Sequence, residues 1–158
     1  DLLGEFTGGR EHQCNRPLRA SVGEASHERQ AEAERLARAS RSAAGDVAAA
    51  RACYTPDAAI WHGFDCVALN RDAAAASWEA MVAHFPERRA IDVRRQPTPT
   101  GFVQQHLWVS RMQDGRLIAW PICIVVRICD GLISRLDEYI DRAGSFTPGE
   151  GVASTPGM

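Results

Sequence analysis

The spacing of apolar positions is mainly helical before Pro86, interrupted by one short strand-like run, and alternating after it. Residues 26–43 are rich in alanine, glutamate and arginine, and Ala33, Leu36, Ala37 and Ala43 give them a thin apolar stripe, which predicts a first helix. Gly45-Asp46 stops it and starts a second, short helix over residues 47–53. The turn Tyr54-Thr55-Pro56-Asp57 then delivers a short strand over residues 58–62, which breaks at Gly63 and leaves His62 at its end. Residues 64–71 read as a loop. A third helix is predicted over residues 72–85, with Trp78, Met81, Val82 and Phe85 on one side and Pro86 as its stop.

Beyond Pro86 the pattern predicts four strands, over residues 90–95, 102–112, 116–127 and 132–141. Their connections contain Pro97-Thr98-Pro99-Thr100-Gly101, Gln113-Asp114-Gly115 and Cys129-Asp130-Gly131, and Asp-Gly between apolar runs is the strongest short hairpin signal. Three consecutive hairpins give a curved antiparallel meander, whose concave face the three helices are expected to cover. Residues 1–25 carry no period and read as a flexible arm, and the Gly/Pro/Ser/Thr-rich residues 144–158 read as a flexible tail, leaving residues 26–143 as the domain.

Alternation in the last strand puts Leu132, Ser134, Leu136, Glu138 and Ile140 on one face and Ile133, Arg135, Asp137, Tyr139 and Asp141 on the other. Glu138 is thus an acid on an apolar face. Burial there penalises its ionised form and raises its pKa toward the range useful for proton transfer at neutral pH. The competing reading is a carboxylate paired with Arg135, Arg142 or a helix terminus. His62 offers an imidazole that both accepts and donates protons near neutrality, against a ring packed beside Trp61 and bonded to backbone. His106 shares a strand face with Phe102, Gln104, Trp108 and Ser110, a polar-aromatic set that suits either a ligand cavity or a dimer interface. Trp120, Ile122 and Ile124 in the next strand read as wall or core.

Composition narrows the partners. A chain of 158 residues with 45% hydrophobic content supports one compact domain with a real core. Net charge of -2 and a pI near 6.2 supply no basic surface for nucleic acid. All basic side chains are arginine, without clustering. The five cysteines, Cys14, Cys53, Cys66, Cys123 and Cys129, show no Cys-x-x-Cys spacing, so reduced thiols are expected rather than a disulfide framework or a zinc site. No run approaches the roughly 20 apolar residues of a membrane span and no leader pattern is present, which gives the expectation of a cytoplasmic protein. His62, His106 and Glu138 lack any His-x-x-x-His-like spacing, and neither a phosphate cradle nor a nucleophile elbow occurs, so neither metal nor cofactor is expected.

The element order, with Tyr54-Thr55-Pro56-Asp57-Ala58, Trp61-His62-Gly63, Gln104-Gln105-His106 and the closing Asp137-Glu138-Tyr139-Ile140-Asp141, resembles the nuclear transport factor 2-like superfamily and, within it, SnoaL-like proteins. The resemblance covers residues 26–142. It implies an α+β fold, a cone-shaped barrel of a curved mixed, mainly antiparallel sheet wrapped on three N-terminal helices, with an apolar pocket and a homodimer formed through the open sheet. It also implies that Glu138 stands where limonene-epoxide hydrolases and polyketide cyclases carry a pocket aspartate. His62 then falls where ketosteroid isomerases have their general base. Their helpers differ: no Arg-x-Asp pair occupies the strand around His106, and the isomerase oxyanion positions hold Arg38 and Ile124.

The expectation is an acid/base enzyme without a cofactor, an isomerase, cyclase, lyase or epoxide-opening hydrolase, acting on a small hydrophobic molecule. Glu138, His62 and His106 are its candidate catalytic residues, and Trp61, Gln104, Trp108, Trp120, Ile122 and Leu136 its candidate binding residues. The alternative is a non-catalytic, dimeric module that binds a small molecule.

Overall fold

A computed structural model describes residues 45–148. The predicted helix over residues 26–43 lies outside them, so the described part carries two helices where the resemblance implied three. Helix α1 (Val47–Ala52) starts at Asp46, whose side chain accepts from the Ala49 N–H at 2.9 Å. Strand β1 (Tyr54–His62) begins four residues earlier than predicted, and its ladder is irregular between Tyr54 and Ala59, where Pro56 has no N–H to give. The predicted loop after Gly63 holds a short strand, β2 (Val67–Asn70), antiparallel to β1. Its hairpin was obscured because the turn uses Cys66 at φ 58° rather than glycine, braced by the Asp65 carboxylate on the Val67 N–H. Asn70 then caps helix α2 (Arg71–His84), accepting from the N–H groups of Asp72 and Ala73, and the helix stops before Pro86.

Strands β3 (Arg88–Thr98), β4 (Gly101–Arg111), β5 (Leu117–Cys129) and β6 (Leu132–Ile140) form the meander. Its last turn, Asp130-Gly131, has positive φ at both residues, the geometry that matches the strand twist. The six strands run in the order β2-β1-β6-β5-β4-β3, with β1 parallel to β6 and every other pair antiparallel. The sheet is open, not a closed barrel: β2 and β3 are its edges. Four-residue β2 is short beside eleven-residue β3, and the chain leaves that edge directly into α2.

Register corrects the face assignment in β6. Arg127 pairs with Arg135 but Ile128 pairs with Ile133, so Ser134 is an extra residue and alternation switches there. Ile133 therefore joins Leu136 on the helix-covered face, packed with Tyr54, Ile60, Phe102 and Val126 under Ala74 and Trp78 of α2. A second cluster, Ile91, Val109 and Ala119 with Leu107 and Leu117, lies on the opposite face. Beyond the end of β6, Phe146 pairs with Ala119 through hydrogen bonds of 2.8 and 3.0 Å, so the first residues of the predicted tail extend the sheet alongside β5. Cys53, Cys66 and Cys123 are free thiols, but Cys129 is disulfide-bonded, so the expectation of five reduced cysteines does not hold there. No helix among the described residues is long and apolar enough to cross a membrane.

Candidate functional site

Pairing across five strands places His62, Glu138, Ile124, Gln104 and Arg95 in one cross-strand row on the helix-covered face. The next row holds Ile140, Ile122 and His106, and the one beyond it Trp120, Trp108 and Ala90. Glu138 is fixed from the backbone outward: its carbonyl accepts from the Gly63 N–H at 2.7 Å, which ties the end of β1 to β6.

The carboxyl of Glu138 is half-buried, and desolvation raises its pKa above the ordinary value, partly offset by the nearby charge of His62. The partners of the competing reading are engaged elsewhere. Arg135 bonds Asp137 at 2.8 to 3.0 Å on the opposite face, and the Arg142 guanidinium lies 4.7 Å from the centre of the Phe64 ring. Among the described residues no hydrogen bond reaches the Glu138 carboxylate. Tyr54, buried in the core with its ring centroid 5.2 Å from that of Trp78 in a tilted pair, has its phenol pushed well above its usual pKa by burial, then by the charges of Cys53 and Glu138.

His62 does not pack beside Trp61. Its ring stacks on Phe64, with centroids 5.2 Å apart, while Trp61 points to the other face and meets Tyr139 at 5.3 Å. Trp61 is thus not brought together with Glu138, whereas Trp108, Trp120, Ile122, Gln104 and Leu136 share its face. Trp120 also packs edge-on against Phe85, at the end of α2, with centroids 5.8 Å apart. His106 is half-buried, and desolvation, then the charge of Arg95, holds its pKa down to about 4. Its Nδ1 lies 3.2 Å from the Gln104 amide nitrogen, and Gln104 Oε1 accepts from Arg95 Nε at 2.7 Å.

Clefts of about 310 and 240 Å³ open on the surface of the described residues. Glu138 lines neither; the larger is bounded mostly by residues of the opposite face, Arg94, Gln105, Leu107, Pro121, Cys123 and Tyr139, and also by His106 and Ile122. No group of three or more metal-ligating side chains forms among the described residues. Sequence reasoning passed over Arg95, Tyr54 and Phe64. Arg95 faces Gln104 by a register that runs regularly from the turn closed by the Thr98–Gly101 pair, but the sequence pattern ends this strand at residue 95 and assigns the Pro97-containing stretch to a connection, which hides the pairing.

Residues 33–136 match the model of the SnoaL-like domain, a match that ends two positions before Glu138. A candidate polyketide cyclase from Xanthomonas campestris pv. campestris superposes with a TM-score of 0.65 at 18% identity, covering 79% of this chain and 97% of its own. An epoxide hydrolase from M. tuberculosis, of the kind resembling limonene-epoxide hydrolase, gives 0.57 at 19% identity over 70% and 84% of the two chains. A phenazine biosynthesis-related protein from Pseudomonas aeruginosa gives 0.63 at 14% identity over 77% and 86%. No functionally curated protein matches.

Proposed function

The chain belongs to the SnoaL-like domain family, and from that premise we propose that it is an acid/base enzyme that works on a small hydrophobic molecule held against the helix-covered face of the sheet. Isomerisation, cyclisation, elimination and epoxide opening all need one group that removes or delivers a proton in a shielded place. Glu138 is that group. The observation that carries the reading is its half-buried carboxyl, raised in pKa by desolvation, opposite His62 in the β1–β6 ladder and without an arginine partner among the described residues. His62, across the β1–β6 ladder, holds or exchanges the proton. Gln104 and His106 supply polar contacts, and Trp108, Trp120, Ile122 and Leu136 form the apolar surround. The candidate cyclase and the epoxide hydrolase of the same fold support the substrate class.

Glu138→Gln keeps the shape and removes the proton-transfer group. Against a panel of hydrophobic enones, lactones and epoxides, turnover falling by at least about 100-fold with unchanged ligand affinity is the expected result. Altered affinity, with no turnover by either protein, identifies the chain instead as a binding module. On the opposite face, the exposed Tyr139, its neighbour Trp61 and the larger cleft form the surface proposed to meet a second copy of the chain.

A further inference from the structure

The chain of hydrogen bonds from Arg95 through Gln104 to His106 has only one consistent direction. An arginine can donate but never accept, so the Gln104 atom 2.7 Å from Arg95 Nε must be the amide oxygen. The Gln104 atom facing His106 is then its NH2, which can only donate, so Nδ1 at 3.2 Å must accept. An imidazole that accepts at Nδ1 carries its proton on Nε2. The three residues come from β3 and β4, in directly paired or next-row positions, and face the side of the sheet that bears Glu138.

We propose that Arg95 is a positioning residue which, through Gln104, fixes His106 as the neutral Nε2–H tautomer, so that His106 acts as a hydrogen-bond donor to an oxygen of the ligand and not as a second proton carrier. Resting on the acid/base reading of Glu138, this narrows the substrate class to molecules with an acceptor oxygen, a carbonyl or an epoxide, at the reacting centre. An N–H donor there stabilises negative charge developing on that oxygen while Glu138 moves the proton. Desolvation of the ring and the positive charge of Arg95 both oppose an imidazolium, which agrees with a neutral donor.

The test is the side-chain nitrogen spectrum of the uniformly 15N-labelled full chain at about pH 7, with His106 assigned by its loss in His106→Gln. The expected signature is a protonated Nε2 and a bare Nδ1. Gln104→Glu replaces the amide with a group that only accepts, so it should invert the tautomer to Nδ1–H. Arg95→Met frees the amide to turn over and should give a mixture. A native Nδ1–H tautomer, or a signature unchanged in Gln104→Glu, overturns the proposal; should Arg95→Met fail to fold, the glutamate variant still decides. No substrate enters the measurement, so loss of the Glu138 reading and loss of this one are seen separately.

Discussion

At the scale of single residues, Glu138 and His106 on the helix-covered face predict opposite pH dependences. The pKa of Glu138 is raised on folding, so between its ordinary and raised values the unfolded chain has released a proton that the folded chain keeps. Stability is therefore lost as pH rises through that window, and Glu138→Gln should raise the thermal midpoint at neutral pH while abolishing turnover, as measured by calorimetry beside the activity assay. For His106, lowered from 6.5 to about 4, the unfolded chain takes up a proton first as the solution is acidified. Wild-type stability should fall as pH drops from about 6.5 toward about 4, by a ceiling on the order of 3 kcal/mol, and urea titrations of His106→Gln should show a flatter profile. The acid of β6 could be read from the sequence because one carboxylate interrupts a run of leucine and isoleucine. Its separation from Arg135 could not, because Arg135 is three residues away in sequence yet bonded on the opposite face.

At the scale of elements, the strands that carry the site were legible where Asp-Gly turns bound them, and less so where other chemistry made the turn. The β5–β6 hairpin follows directly from Asp130-Gly131, while β2 was missed because a cysteine holds the positive φ of its turn. Two glycines test the packing of the meander for different reasons. A Cβ at Gly101 would collide with the backbone carbonyl of Val126 in β5, where neither side can yield, so Gly101→Ala should destabilise by more than about 2 kcal/mol. Gly115 has φ +83° with open space around it, so Gly115→Ala should cost only about 1 kcal/mol, from backbone strain alone. Denaturation midpoints of the two variants give the comparison.

At the scale of the whole molecule, an open sheet with α2 on one face leaves the other to account for. Tyr139 is 52% exposed there beside Trp61, and the larger cleft runs past Leu107 and Cys123. If a second copy covers this surface, light scattering should give a dimer for the wild type and a monomer for Tyr139→Arg, with Glu138-dependent turnover per chain changed little because the acid faces away. The family and the α+β architecture were both visible from element order and closing motif, since these depend on patterning; the edge formed by β2 was not, since those residues read as a loop. The bulge at Ser134 has one last consequence, which is a matter of parity. With Arg127 opposite Arg135 and Ile128 opposite Ile133, the interval from Ile133 to Glu138 is odd, yet both side chains point the same way because one residue between them is skipped. Deleting Ser134 would make that interval even, so a regular strand would keep Ile133 and Glu138 on the helix-covered face with the bulge removed. Ser134 is thus a residue the strand can lose between its turn and its acid without changing the face that either Ile133 or Glu138 meets.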